Sequence, residues 1–200
     1  MKGESTLRLK DKHIGFGLTG SHCTYEEVVP QFQRLIDEGA TVTPFVTYTV
    51  KNKVTKFGDG KDWVKKVEEM TGNEAVDSIV KAEPFGPANP LDCMVIAPLT
   101  GNSLSKFANA MTDSPVLMGA KATLRNGNPV VLGISTNDGL GLNGVNIMKL
   151  MTTKNIYFIP YGQDNPYQKP NSLVANMELL VDTIESALNG KQHQPVLITK

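Results

Sequence analysis

Cysteine, arginine and long apolar runs are all scarce in this 200-residue sequence, and each scarcity removes a class of function. The two cysteines, Cys23 and Cys93, stand at no metal-ligand spacing from each other or from His13, His22 and His193. A disulfide framework and a zinc site are therefore not expected, and the thiols fit a reducing compartment. Arginine occurs at Arg8, Arg34 and Arg125 only, and 20 Lys plus Arg are cancelled by 20 Asp plus Glu. Without a basic surplus or cluster, nucleic acid is not an expected partner. Apolar runs such as Met94-Val95-Ile96-Ala97 are too short to span a bilayer, and the first five residues have no signal-peptide character. A soluble, cytoplasmic protein with no membrane partner is expected. Composition does not break along the chain and no repeat is visible, so residues 1–200 are expected to form a single domain.

What is present is a rhythm of strand-length apolar runs and segments of helical spacing, which predicts an α/β fold with helices on both faces of a parallel sheet. Strands are expected over residues 12–18, 41–47, 92–97, 129–134 and 155–159. Tyr25, Val28, Val29, Phe32, Leu35 and Ile36 form one helical face, opened by the capping-box pattern Thr24-Tyr-Glu-Glu27, expected to kink at Pro30 and closed by Gly39. Further helices are expected over residues 63–70, around Leu104, Phe107, Ala108 and Met111, and over 145–151. The last helix is read from Leu173 to Leu188, with Asn171 or Ser172 as its cap and Gly190 at its end.

In an open parallel sheet the ligand lies beyond the carboxyl ends of the strands, which directs attention to the loops after Leu18, Thr47, Ala97 and Ile134. The first reads Gly15-Phe-Gly17-Leu-Thr19-Gly20-Ser21, a G-x-G-x-x-G between strand and helix, where amides and hydroxyls can meet a phosphate. A dinucleotide would require an acidic residue at the end of the second strand, and Phe45-Val46-Thr47-Tyr48-Thr49 has none. Thr47 and Thr49 instead suit the terminal phosphate of a mononucleotide such as FMN, although two threonines are also ordinary β-formers finishing a strand.

The segment Ala97-Pro98-Leu99-Thr100-Gly101-Asn102-Ser103-Leu104-Ser105-Lys106 resembles the Ala-Pro-Ala-Thr-Ala-Asn-Thr-x-Ala-Lys signature of the homo-oligomeric flavin-containing decarboxylase family. Pro98, Thr100, Asn102 and Lys106 fall in register. Thr19-Gly20-Ser21, the proline of the first helix, the strand from Pro129 to Asn137, Asn146-Ile147 and Ile159-Pro160-Tyr161-Gly162 extend the resemblance over most of the chain. It implies a Rossmann-like or flavodoxin-like three-layer α/β/α domain with a central parallel sheet. It also implies FMN held by Gly17, Thr19, Gly20, Ser21, Thr47, Thr49, Ala97, Pro98, Thr100, Asn102, Ser103, Ser135 and Thr136. Asn102, Lys106 and Asn137 are the expected substrate contacts, and the family implies a homo-oligomer built from trimers.

Departures from the pattern narrow the activity. The decarboxylases carry a histidine before the strand where this chain has Glu83-Pro84-Phe85-Gly86, and Ile134, Thr136, Leu140 and Gly141 replace their substrate-clamp residues. No catalytic base can be named. What remains, including Gly133-Ile-Ser-Thr-Asn-Asp-Gly-Leu-Gly141 and Tyr161-Gly-Gln-Asp-Asn-Pro166, resembles a redox flavoprotein subunit of that family, and the resemblance implies action on a small dicarboxylate with a larger partner subunit, NAD(P) entering only through that partner. A free-standing FMN-dependent decarboxylase or flavin prenyltransferase, and a non-catalytic nucleotide-binding subunit, remain as alternatives. Asn102 reads equally as a helix N-cap, Lys106 as a solvated charge, and Cys23 beside His22 as a packed thiol rather than a nucleophile.

Overall fold

The structure, a computed structural model, describes residues 7–55 and 58–199. Strand β1 (His13–Leu18) leads through a 3-10 turn (His22–Thr24) into α1 (Tyr25–Asp37), β2 (Thr41–Val46) and α2 (Tyr48–Asn52). A small antiparallel pair, β3 (Val54–Thr55) and β4 (Gly58–Asp59), precedes α3 (Gly60–Thr71) and α4 (Ile79–Ala82). Then follow β5 (Cys93–Leu99), α5 (Gly101–Ala108), α6 (Pro115–Arg125), β6 (Val130–Thr136), α7 (Gly144–Met151) and β7 (Ile156–Phe158). Two short strands, β8 (Tyr161–Gly162) and β9 (Leu173–Ala175), and the helix α8 (Leu180–Leu188) complete the described elements.

The parallel strands run in the order β2, β1, β5, β6, β7, which is the flavodoxin-like order. Strands β5 and β6 are buried at every position, as sheet strands covered on both faces must be. Alternation along β1 shows how the layers divide: Phe16 stacks on Phe32 of α1 at 4.1 Å, while a Cβ on the next residue, Gly17, would stand 2.6 Å from Val116 of α6. Helices α1 and α8 thus cover one face and α6 the other.

Two local expectations are corrected. Leu173 to Ala175 form β9 instead of opening the last helix. Beyond β7 the edge of β6 is free, and β9 pairs there antiparallel through Ser135–Val174 and Thr136–Leu173, so an inter-strand ladder replaces the first helical turn. The chain turns helical only at Met177, where the Asn176 side chain accepts from the Glu178 amide at 3.2 Å, and neither Asn171 nor Ser172 is the cap. The sheet is accordingly parallel at its centre and antiparallel at this margin. At α1 the capping box does not form, because the Thr24 hydroxyl donates to the Ser21 carbonyl at 2.8 Å inside the 3-10 turn.

Candidate functional site

Beyond the carboxyl ends of β1, β2, β5 and β6 lie two cavities separated by the β1 exit loop and sharing Thr100. The sheet reverses its order between β1 and β5, so the two exit loops diverge there and leave a crevice. The first cavity, about 470 Å³, is bounded by Ser21 and Cys23, by Ser135, Thr136 and Asn137 after β6, and by Asp164, Lys169 and Ser172. The second, about 330 Å³, is bounded by Gly20, Thr47, Thr49, Asn102, Ser103 and Lys106.

Nearly all the residues expected at the site are brought together here, but four of them build its wall. Gly17 lies inside β1 beneath α6, and Gly15 is likewise crowded, since a Cβ there would stand 2.5 Å from Leu91. These two glycines of the G-x-G-x-x-G serve close packing, and only Gly20 lines a cavity. A Cβ on Gly20 would stand 3.0 Å from the Thr49 methyl, so glycine allows the loop to approach Thr49. Thr19 is wholly buried; its hydroxyl donates to the Pro98 carbonyl at 2.6 Å and accepts from the Thr100 amide at 3.0 Å. The Tyr25 phenol donates to the Thr19 carbonyl at 2.7 Å, and burial pushes its pKa up. Ala97 and Pro98 are buried within β5. Together these contacts tie β1, β5 and α1 beneath the shared wall.

In the second cavity the helix cap is Thr100, whose hydroxyl accepts from the Ser103 amide at 3.4 Å. Asn102 is therefore not the cap, and its side chain stands exposed in the first turn of α5. Thr47 carries a hydroxyl buried without a partner among the described residues, a costly state for a polar group unless a ligand completes it. Lys106 reaches Asp113 at 2.6 Å across the cavity margin.

The first cavity is more acidic. Glu27 and Asp164 line it, and Lys169 is its one cation among the described residues. Burial would raise the Asp164 carboxyl, but hydrogen bonds from the Ser172 hydroxyl, the backbone and the Lys169 ammonium outweigh it and hold the pKa below the usual carboxylate value. Ser21 and Ser135 share a hydroxyl contact at 3.0 Å across the floor. Behind the wall, Asp138 accepts from Thr136 at 2.5 Å and from the Asn143 amide on both oxygens, at 3.0 and 2.8 Å. Sequence reasoning missed Glu27, Asp164, Lys169, Ser172 and Asp138. Asp138 and Asp164 stand in the two segments, 133–141 and 161–166, that carry the resemblance, whereas Glu27, Lys169 and Ser172 reach the cavity through packing that no sequence pattern marks.

Comparison with known proteins accords with this architecture. The family described as Flavoprotein matches residues 2–157. The chain is 70% identical over 190 residues to the B subunit of dipicolinate synthase from Bacillus subtilis (strain 168), covering 95% of each. It superimposes on the crystal structure of the dipicolinate synthase B subunit from Bacillus halodurans C with a TM-score of 0.89 and 72% identity, over 96% of this chain and 98% of that one. The FMN-dependent cysteine decarboxylase SpaF shares the fold alone, at a TM-score of 0.64 and 18% identity over 90% of this chain and 97% of its own. The chain belongs to the flavoprotein family and, within it, to the dipicolinate synthase B subunits.

Proposed function

We propose that this chain is the flavoprotein subunit of a dipicolinate synthase, a single domain that binds FMN and completes dipicolinate from a dihydrodipicolinate precursor together with the larger dipicolinate synthase A subunit. The observation that carries the flavin reading is the orphaned Thr47 hydroxyl, buried in a cavity that also offers Gly20, Thr49, Asn102 and Ser103. Hydroxyls, amides at the start of α5 and Lys106 are the donors a phosphomonoester needs. The phosphate of a mononucleotide would sit in this cavity, and Thr100 leads from it into the first cavity, where Ser21, Ser135 and Thr136 would meet the ring system.

Bound FMN would supply the two-electron sink: a dihydro ring that becomes aromatic loses a hydride, which the flavin would take, and a proton, which would pass to solvent. The residues of this chain hold and orient the reactants: Asn137 and Asn102 stand exposed as side-chain donors for carboxylate oxygens, and Lys169 adds a cation. Aromatisation is downhill, so orientation and exclusion of water are the main contributions asked of the protein. Electrons would pass onward to NAD(P) on the partner subunit.

A homo-oligomer built from trimers is part of the same reading. Leu140, Leu142, Val145 and Met148 are all more than half exposed and follow directly on the loop that carries Asn137, as an apolar surface awaiting a second copy would. The setting is the mother-cell cytoplasm of a spore-forming bacterium during sporulation. No described helix is long and apolar enough to cross a membrane.

An absorbance spectrum of the purified protein, taken after adding FMN and removing the unbound fraction, tests this function. A retained flavin band that bleaches on supplying precursor and partner subunit is expected. If no flavin is retained with or without the partner, the chain is a scaffold and the proposal fails.

A further inference from the structure

Thr136 lines the first cavity, yet its hydroxyl proton is already committed. A carboxylate can only accept, so at 2.5 Å from Asp138 Oδ1 the Thr136 hydroxyl is the donor. Asp138 cannot turn away, because the Asn143 amide nitrogen donates to both of its oxygens while the Asn143 carbonyl oxygen accepts from Asn146 at 2.9 Å. Donor and acceptor roles are therefore assigned along the whole chain from Asn146 to Thr136. The network also presses against the first residue of α5: a Cβ on Gly101 would stand 2.7 Å from Thr136 Oγ1, 2.9 Å from Asn143 Nδ2 and 2.9 Å from Asp138 Oδ1. Glycine at this position lets the carboxylate lie beside the helix N-terminus, where negative charge is favoured.

With its proton spent on Asp138 and one lone pair facing the Asp138 amide at 3.5 Å, Thr136 can offer the cavity only its remaining lone pair. We infer that Asp138 is a positioning residue that holds Thr136 as a hydrogen-bond acceptor, and that the ligand group meeting Thr136 is an N–H donor. On the flavin reading proposed above, on which this inference rests, that donor is the imide N–H of the oxidised ring, its one ring N–H. A buried acceptor facing a methylated nitrogen would be left unpaired, so Asp138 makes the first cavity selective for the unsubstituted imide.

The test is a cycle of dissociation constants for FMN and N3-methyl FMN, measured by flavin fluorescence on the full chain and on two variants. The wild-type chain is expected to prefer FMN by about tenfold. In Asp138→Asn, Thr136 is no longer obliged to donate and its hydroxyl can turn to the cavity as donor or acceptor, and in Thr136→Val the acceptor is gone. In Thr136→Val FMN affinity should fall to that of the methylated flavin, whose own affinity stays constant, so that the ratio approaches one, and in Asp138→Asn the ratio should fall part of the way. Thr136→Val keeps the Asp138–Asn143 contacts and serves if Asp138→Asn does not melt cooperatively. Equal affinity of the wild type for the two flavins, or the wild-type ratio retained in both variants as steric bulk alone would give, overturns the inference while leaving flavin binding intact. Failure of the wild type to bind either flavin overturns the proposed function itself.

Discussion

The Thr19 hydroxyl sits 2.6 Å from the Pro98 carbonyl and, as an acceptor, 3.0 Å from the Thr100 amide, so one buried side chain joins the exits of β1 and β5 where the candidate site opens. Thr19→Val removes both bonds with little change of shape and leaves a buried carbonyl and amide unpaired. A loss of about 1–3 kcal/mol in urea unfolding is expected, together with weaker FMN binding. Thr19→Ser should restore both.

Thr47 predicts the opposite pattern. Its hydroxyl has no partner among the described residues, so Thr47→Val should leave the stability of the flavin-free protein unchanged or slightly raised. FMN affinity should fall by about tenfold, as for loss of a hydrogen bond to a charged group. Chemical denaturation and flavin titration on the same preparation separate the two effects.

Gly17→Ala distinguishes a packing glycine from a phosphate-binding one. The added methyl would meet Val116 at 2.6 Å and the Met94 methyl at 3.0 Å, and overpacking of this kind costs about 1–3 kcal/mol. The midpoint of thermal unfolding should fall, while the dissociation constant for FMN at 25 °C should be unaltered.

Mild acid should destabilise the fold through its histidines. His22 is buried with neither ring nitrogen hydrogen-bonded among the described residues, and burial, then the Lys53 charge, lowers its pKa. Burial also lowers that of His13, against the opposing pull of Asp92. Between the lowered folded values and the ordinary value of about 6.5, the unfolded chain binds protons that the folded chain does not. The stability these imidazoles contribute is thus complete above about pH 6.5 and declines as pH falls. His22→Phe, which keeps the ring contact with Tyr25 at 4.8 Å, should flatten part of that decline in melts taken from pH 7 to 5.

If the apolar surface on α7 joins copies of the chain, Met148→Glu should dissociate the assembly in light scattering without lowering the helical content. An unchanged mass would place the contact elsewhere.

Much of this was legible in the sequence, for identifiable reasons. The buried runs over β1, β2, β5 and β6 are continuous because both faces of a parallel strand are covered, and helices of 3.6-residue period between them imply the layers. The hydroxyls and Asn102 that line the two cavities were legible because loops at the carboxyl ends of such strands converge, and the signature around Thr100 marks one of them. The glycine motif misled at Gly17 because a glycine required by a neighbouring helix looks, in sequence, the same as one required by a phosphate. The apolar run at Leu173 misled because a short apolar segment fits a helix or a strand equally.

By itself, then, the sequence determined the elements, their layering and the loops that carry the chemistry, since periodicity and local backbone preference act over a few residues. Only the tertiary structure decided that Thr19 is a tie beneath the site and that β9 completes the sheet. These outcomes depend on which groups from distant segments meet where water is excluded, and there each polar atom must find a partner or remain costly.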